Sequence, residues 1–143
     1  MIAIGSDHGG YELKEKIRNH LEQKGYVCED KGCYSMEAVD YPHIGREVAM
    51  AVAEGHCEKG IVICTTGIGI SIAANKVSGI RAALCGDPVS AKLTRLHNDA
   101  NVLALGAGIL GEHLAIEIVN VFLETEFSGN ERHQRRVHQI EGK

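Results

Sequence analysis

The residues best placed by type and spacing to do chemistry run from Cys64 through Thr65, Thr66, Gly67, Ile68 and Gly69 to Ser71. An apolar β-type run, Ile61-Val62-Ile63, stops at the cysteine, and a glycine-rich turn leads on into a helical stretch. A strand that feeds a turn and a helix N-terminus aims several backbone N–H groups at one point, where the helix dipole also favours negative charge. The same field favours a thiolate over a thiol. Cys64 therefore reads either as a base or nucleophile facing an oxyanion cradle, or as a buried structural cysteine at a strand end.

Other polar groups fall near strand ends. Asp7-His8 follows the first apolar run, Asp87 follows the fourth, and His97-Asn98-Asp99 comes just before the fifth. An Asp-His pair after a strand serves as a turn or helix cap as readily as a substrate contact, and His97-Asn98-Asp99 alone reads as a helix terminus. Their joint presence beside Cys64 raises the functional reading. In a parallel α/β sheet the first two groups lie at the carboxyl edge, where ligands bind, and His97 lies at the opposite edge. It can serve the same site only if the chain bends or if it reaches into a neighbouring subunit. Near the end of the chain, Arg132 and Arg136 are four residues apart, which on a helix puts both on one face. They form either a phosphate clamp or a solvated basic tail.

Several familiar sites are excluded by the residues themselves. The turn Gly67-x-Gly69-x-x-Ile72 lacks the third glycine of a dinucleotide fingerprint and follows the wrong strand. No Gly-Lys-Ser/Thr is present for a nucleoside-triphosphate loop. A cysteine phosphatase needs an arginine six residues after its cysteine, and that position is Ile70. A cysteine with acid/base partners and an anion cradle remains, with no redox or nucleotide cofactor implied. Proton transfer next to a carbonyl suits this set, because it needs one base and donors for an enediolate oxygen.

Composition sets the frame. The hydrophobic fraction of 44% and charged fraction of 24% are those of a soluble globular protein of one domain, residues 1–143. A formal net charge of -4 argues against a general nucleic-acid binder. No apolar run approaches membrane-spanning length, and the first residues enter a strand rather than a signal peptide. The five cysteines include no C-x-x-C pair, which points to a reducing cytoplasm without a disulfide framework. The eight histidines have no metal-ligand spacing, so no metal is expected.

The elements that must position these residues alternate. Strands are predicted at Met1 to Gly5, from Tyr26 to Cys28, at Ile61 to Ile63, Ile80 to Cys85 and Val102 to Leu105. Helices are predicted from Tyr11 to about Lys24, from about Pro42 to Ala53, from about Gly69 to Lys76, from Pro88 to about Leu96, and from about Gly111 to Glu124. In the first, Leu13, Ile17 and Leu21 recur at helical spacing. Five β–α units with short connections predict a parallel sheet covered on both faces. From Phe127 onward the chain turns polar and basic, which suggests an arm outside the sheet, residues 127–143.

In order along nearly the whole chain, the residues resemble the type B ribose-5-phosphate isomerases and their galactose- and allose-phosphate relatives. The resemblance is carried by Gly5-Ser-Asp7-His8-Gly9-Gly10, Asp40-Tyr41-Pro42-His43, the run from Ile63 through Cys64 to Lys76, and Gly79-Ile80-Arg81-Ala82. It continues through His97-Asn98-Asp99-Ala100-Asn101 and Arg132-His133-Gln134-x-Arg136-Val137. It implies a Rossmann-like three-layer α/β/α sandwich with a five-stranded parallel sheet. It also implies a homodimer or dimer of dimers with shared sites, and aldose–ketose isomerisation of a phosphosugar without a cofactor. By the same resemblance Cys64 matches the catalytic cysteine, His97 the histidine that helps open the furanose ring, and Thr66 a threonine lining that site. Asp7 and His8 match sugar and phosphate contacts, the backbone from Thr65 through Gly67 and Ile68 to Gly69 an anion hole, and Asn98 a substrate contact. Tyr41 and Ser71 belong to the same substrate-binding set. Arg132 and Arg136, with His8, match the phosphate clamp.

The chain departs from the family pattern at two positions. Thr65 stands where the family usually has glycine, and Gly108 stands where many relatives carry an arginine near the phosphate. A β-branched residue at 65 fills space near the substrate, and the loss at 108 removes a positive contact. Ribose 5-phosphate is the expected substrate, with another phosphosugar (allose-, galactose- or tetrose-phosphate) as the alternative. A phosphosugar-binding protein without turnover is a third reading, which the joint presence of Cys64, Thr66 and His97 opposes. A thiol phosphatase is opposed by Ile70.

Overall fold

The computed structural model describes residues 1–143. Five strands form one all-parallel sheet: β1 (Ile2–Ser6), β2 (Cys28–Asp30), β3 (Lys59–Cys64), β4 (Ala82–Leu84) and β5 (Val102–Gly106). Their spatial order is β2-β1-β3-β5-β4. The six helices are α1 (Tyr11–Gln23), α2 (Tyr41–Ala53), α3 (Ile68–Asn75), α4 (Pro88–Asn98), α5 (Glu112–Glu124) and α6 (Glu131–Ile140). The expected three-layer sandwich is present.

Alternation along the strands assigns each residue to a layer. Ile4, Ile61, Ile63, Leu103 and Leu105 pack with Ile17 and Leu21 of α1 and Ile118 and Phe122 of α5. Val62, Cys64, Val102 and Ala104 face the other way, onto Val48 and Val52 of α2 and Ile70 and Ala74 of α3. Strand parity thus turns Cys64 toward the helix that follows it. The chain leaves β1 toward β2 on one side and reaches β3 on the other. The crevice beyond the ends of β1 and β3 is therefore the topological switch point.

Several boundaries differ from the sequence reading. β2 begins at Cys28 because the N–H of Tyr26 instead donates to Leu21 O (3.0 Å), closing the end of α1. β4 is only three residues long, since Ile80 donates to Val77 O (3.2 Å) in the preceding turn. α4 runs two residues past Leu96, so His97 and Asn98 occupy its last turn. Asp99 then ends the helix in the left-handed region at φ 46°. The arm beyond Phe127 is largely the helix α6, which packs against α4 outside the sheet.

One buried cation shapes the approach to the crevice. Lys14 of α1 is fully buried, and its Nζ donates to both Asp30 carboxylate oxygens (2.7 and 2.8 Å) and to Cys33 O (2.6 Å). This ties down the loop after β2, which goes on to support His8.

Candidate active site

At the end of β3, Cys64 is buried at 5% exposure, and Gly67 N–H donates to its Sγ at 3.1 Å. The turn that delivers this donor needs glycine. Gly67 lies at φ 78°, and a Cβ there would sit 2.6 Å from Leu84 Cδ1 and 2.7 Å from the Leu105 carbonyl carbon. Two further bonds fix the turn from within: Ile68 N–H donates to Thr66 Oγ1 (3.2 Å) and Ser71 Oγ–H to Ile68 O (2.7 Å). Thr66 is exposed and Ser71 is buried at the start of α3. Gly69 is held open for Tyr41, because a Cβ there would sit 2.5 Å from Tyr41 Cζ. The first turns of α2 and α3 thereby meet, with the tyrosine ring roofing the turn.

From β1, the backbone N–H of Asp7 donates to Ile63 O (3.2 Å), placing the loop beside Cys64. Asp7 is buried and caps a single 3-10 turn through Gly10 N–H (3.1 Å). His8 Nδ1 lies 3.1 Å from Val39 N and 3.3 Å from Val39 O, so the loop after β2 holds this edge of the ring. The His8 ring is exposed. Asp87 has the simpler role open to it. Its carboxylate caps α4, accepting Ser90 N–H (2.7 Å) and Ser90 Oγ–H (2.8 Å).

The two departures from the family pattern meet here. Gly108 N–H donates to Thr65 O (2.8 Å), and a Cβ at 108 would lie 2.9 Å from Thr65 Cγ2. On its other side Thr65 Oγ1 occupies the space a Cβ on Gly9 would need. The threonine is wedged between two glycines, from the loops after β1 and β5.

The remaining candidates gather elsewhere. Gly106 at the end of β5 pairs with Cys64, whereas α4 ends just before Val102 at the start of β5. The strand between them spans about 13 Å at ~3.3 Å per residue. His97 and Asn98 are exposed at that far edge, as the topology predicted. The His97 ring packs against His133 of α6, with centroids 4.4 Å apart. His133 is buried, and its Nδ1 contacts Ser128 Oγ at 3.2 Å. Desolvation first, then the neighbouring His97, Arg132 and Arg136, hold its pKa below the usual imidazole value. Arg132 and Arg136 are exposed on the same helix. The largest cleft, about 630 Å3, also lies on this side, lined by Asn75, Thr94, Asn98, Ile140 and Glu141 among others. His133 received no role from sequence. Its place beside Arg132 was visible, but not its ring contact with His97.

One half of the expected site (Asp7, His8, Tyr41 and Cys64 to Ser71) is thus assembled in the crevice. The other half (His97, Asn98 and the arginine-bearing α6) is assembled at the opposite edge of the same chain.

Residues 2–140 match the family described as Ribose/Galactose Isomerase. The chain belongs to that family. Among ribose/galactose isomerases, it is 52% identical over 139 residues to ribose-5-phosphate isomerase B of Escherichia coli, covering 97% of this chain and 93% of that one. A solved ribose-5-phosphate isomerase B of Clostridium thermocellum superimposes with a TM-score of 0.97 at 54% identity, over 99% of this chain and 95% of the other. The chain is also similar to a D-erythrulose-4-phosphate isomerase of Pectobacterium atrosepticum, 44% identical over 132 residues, 90% of this chain and 85% of that one. No helix is long and apolar enough to cross a membrane.

Proposed function

We propose that this protein is an aldose–ketose isomerase of phosphorylated sugars that converts D-ribose 5-phosphate to D-ribulose 5-phosphate, with Cys64 as the base. The observation that carries the reading is the Gly67 N–H on Cys64 Sγ at 3.1 Å, inside a turn built to collect donors. A thiolate held there takes the C2 proton of the open-chain aldose. The electrons form the C1–C2 double bond, and negative charge develops on O1, beside the turn at residues 65–69 and the N-terminus of α3, whose dipole favours it. The thiol then returns the proton to C1 while a proton passes from O2 to O1, leaving the ketose. His97 with Thr66 opens the furanose ring beforehand by moving a proton between the anomeric hydroxyl and the ring oxygen. His8, Arg132 and Arg136 hold the phosphate, while Asp7, Tyr41, Ser71 and Asn98 contact the sugar.

A site of this kind needs two chains, because His97 and the arginine helix lie at the far sheet edge from Cys64. A second copy of this chain is the partner. Its seat is the exposed apolar face of Ile68 and Ile72 on α3, Leu84 on the edge strand β4, and Val89 and Leu93 on α4. The spacing of four on each helix makes those pairs one stripe.

A second reading, isomerisation of a four-carbon phosphosugar, is favoured by one observation: Thr65 fills the gap between Gly9 and Gly108 beside the base. The test is a panel of four-, five- and six-carbon aldose phosphates, with ketose formation and phosphate release followed in parallel. The highest kcat/KM on ribose 5-phosphate without phosphate release is expected. A tenfold preference for the tetrose phosphate would move the assignment to the second reading, and stoichiometric phosphate release would end both.

A further inference from the structure

The Gly79-Ile80-Arg81-Ala82 segment lines the cleft of about 630 Å3 beside Asn98, and its arginine makes the densest set of side-chain bonds at that far edge. Arg81 Nε donates to Asn98 O (3.0 Å) and to Asp99 O (3.2 Å), and Nη2 donates again to Asp99 O (2.9 Å). On the other arm of the fork, Nη1 donates to Glu141 Oε1 (2.8 Å), at the end of α6. The side chain is 16% exposed. Its own backbone is fixed to β5: Asn101 Oδ1 accepts from Arg81 N–H (2.8 Å), and Asn101 N–H donates to Arg81 O (3.0 Å).

We propose that Arg81 is a positioning residue that clasps the last turn of α4 to the end of α6. It thereby holds His97 and Asn98 in register with Arg132 and Arg136, so that ring opening and phosphate binding are presented to the partner subunit as one unit. This rests on the shared-site reading above. The carbonyls of Asn98 and Asp99 are the open end of α4, which a cation satisfies well. A planar guanidinium reaches those carbonyls and the Glu141 carboxylate at once, whereas a lysine ammonium reaches only one of them in good geometry. Misplacing a reacting group by about 1 Å costs up to about 100-fold in rate.

The test compares Arg81→Lys, Arg81→Gln, Glu141→Gln and His97→Asn in two reactions. Turnover of ribose 5-phosphate includes ring opening. Deuterium exchange at C1 of D-ribulose 5-phosphate, which has no furanose form, reads the proton transfer alone. The Arg81 variants should lose about ten- to 100-fold in kcat on ribose 5-phosphate and raise its KM several-fold, with saturated C1 exchange kept within about threefold. Glu141→Gln should raise KM alone, and His97→Asn should show the kcat split alone. If the Arg81 variants lower the melting temperature while leaving KM and the ratio of the two rates at wild-type values, the residue is merely structural and the proposal is wrong. An unchanged KM in Glu141→Gln overturns the arm half even if the Arg81 variants fold poorly. Should His97→Asn fail to separate the two rates, the role of His97 itself falls, an outcome distinct from failure at Arg81.

Discussion

Mixing two inactive variants should restore activity if each site takes Cys64 from one chain and the arginine helix from the other. The perturbations are Cys64→Ala, which removes the base, and Arg136→Ala, which removes one charge-assisted phosphate contact. Such a contact contributes about 1.5–3 kcal/mol, so Arg136→Ala should keep between about a tenth and a hundredth of kcat/KM. Unfolded together in equal amounts and refolded, the chains pair at random, and half of the dimers are mixed. In a mixed dimer one site takes both defects, while the other joins an intact Cys64 to an intact arm. About a quarter of all sites should then run at the wild-type rate. The span of β5, about 13 Å between the edge that carries His97 and the end that pairs with Cys64, is the observation that argues against the in-chain alternative. With substrate well below KM, the mixture should show about 25% of wild-type kcat/KM, against at most about 5% from the unmixed pair. A mixture no more active than that sum would refute the shared site and require each chain to complete its own.

Cys64→Ser should lose about 100- to 10,000-fold in kcat with binding of a non-reacting phosphosugar retained, since a serine hydroxyl is not a base at neutral pH. Iodoacetamide should inactivate the wild type with protection by substrate, and labelling of Cys57 or Cys28 in preference to Cys64 would count against that role. Gly67→Ala must place a side chain at φ 78° against Leu84 and the Leu105 backbone. Left-handed strain of about 1–2 kcal/mol and overpacking of about 1–3 kcal/mol together predict a melting temperature lower by about 7–16 °C. A shift under about 2 °C by calorimetry would mean the turn is not held as described. His133 titrates below the ordinary imidazole value in the folded chain, so its protons bind preferentially to the unfolded one. Its contribution to stability is complete above about pH 6.5 and is lost as pH falls from there toward the lowered native value. Denaturant midpoints of wild type and His133→Gln should therefore converge on acidification through that window, and parallel curves would contradict it.

Most of the fold was legible because β1, β3, β4 and β5 are apolar runs followed by a glycine within a few residues, whereas β2, Cys28-Glu29-Asp30, carries a weak signal. The misplaced boundaries have local causes. Tyr26 looks like a strand residue, but its N–H is committed to the end of α1. Ile80 looks like the start of a strand, but its N–H is committed to Val77 O, and only Ala82–Leu84 form the ladder with β5. The crevice half of the site was readable because it lies in two continuous segments, where a turn after a strand fixes the geometry. The stacking of His133 on His97 joins residues 36 positions apart, through packing of α6 on α4 that no spacing encodes. The clasp of Arg81 on Glu141 is more distant still, 60 positions apart.

The wedge formed by Thr65, Gly9 and Gly108 makes the order of evolutionary steps matter. Any side chain installed at 108 first would collide with Thr65 Cγ2 while its backbone stays bonded to Thr65 O. A side chain at 108 therefore fits more readily once residue 65 is smaller, and the same holds at position 9. The three positions are sterically coupled, so the effect of substituting 65 and 108 together should differ from the sum of the two single substitutions.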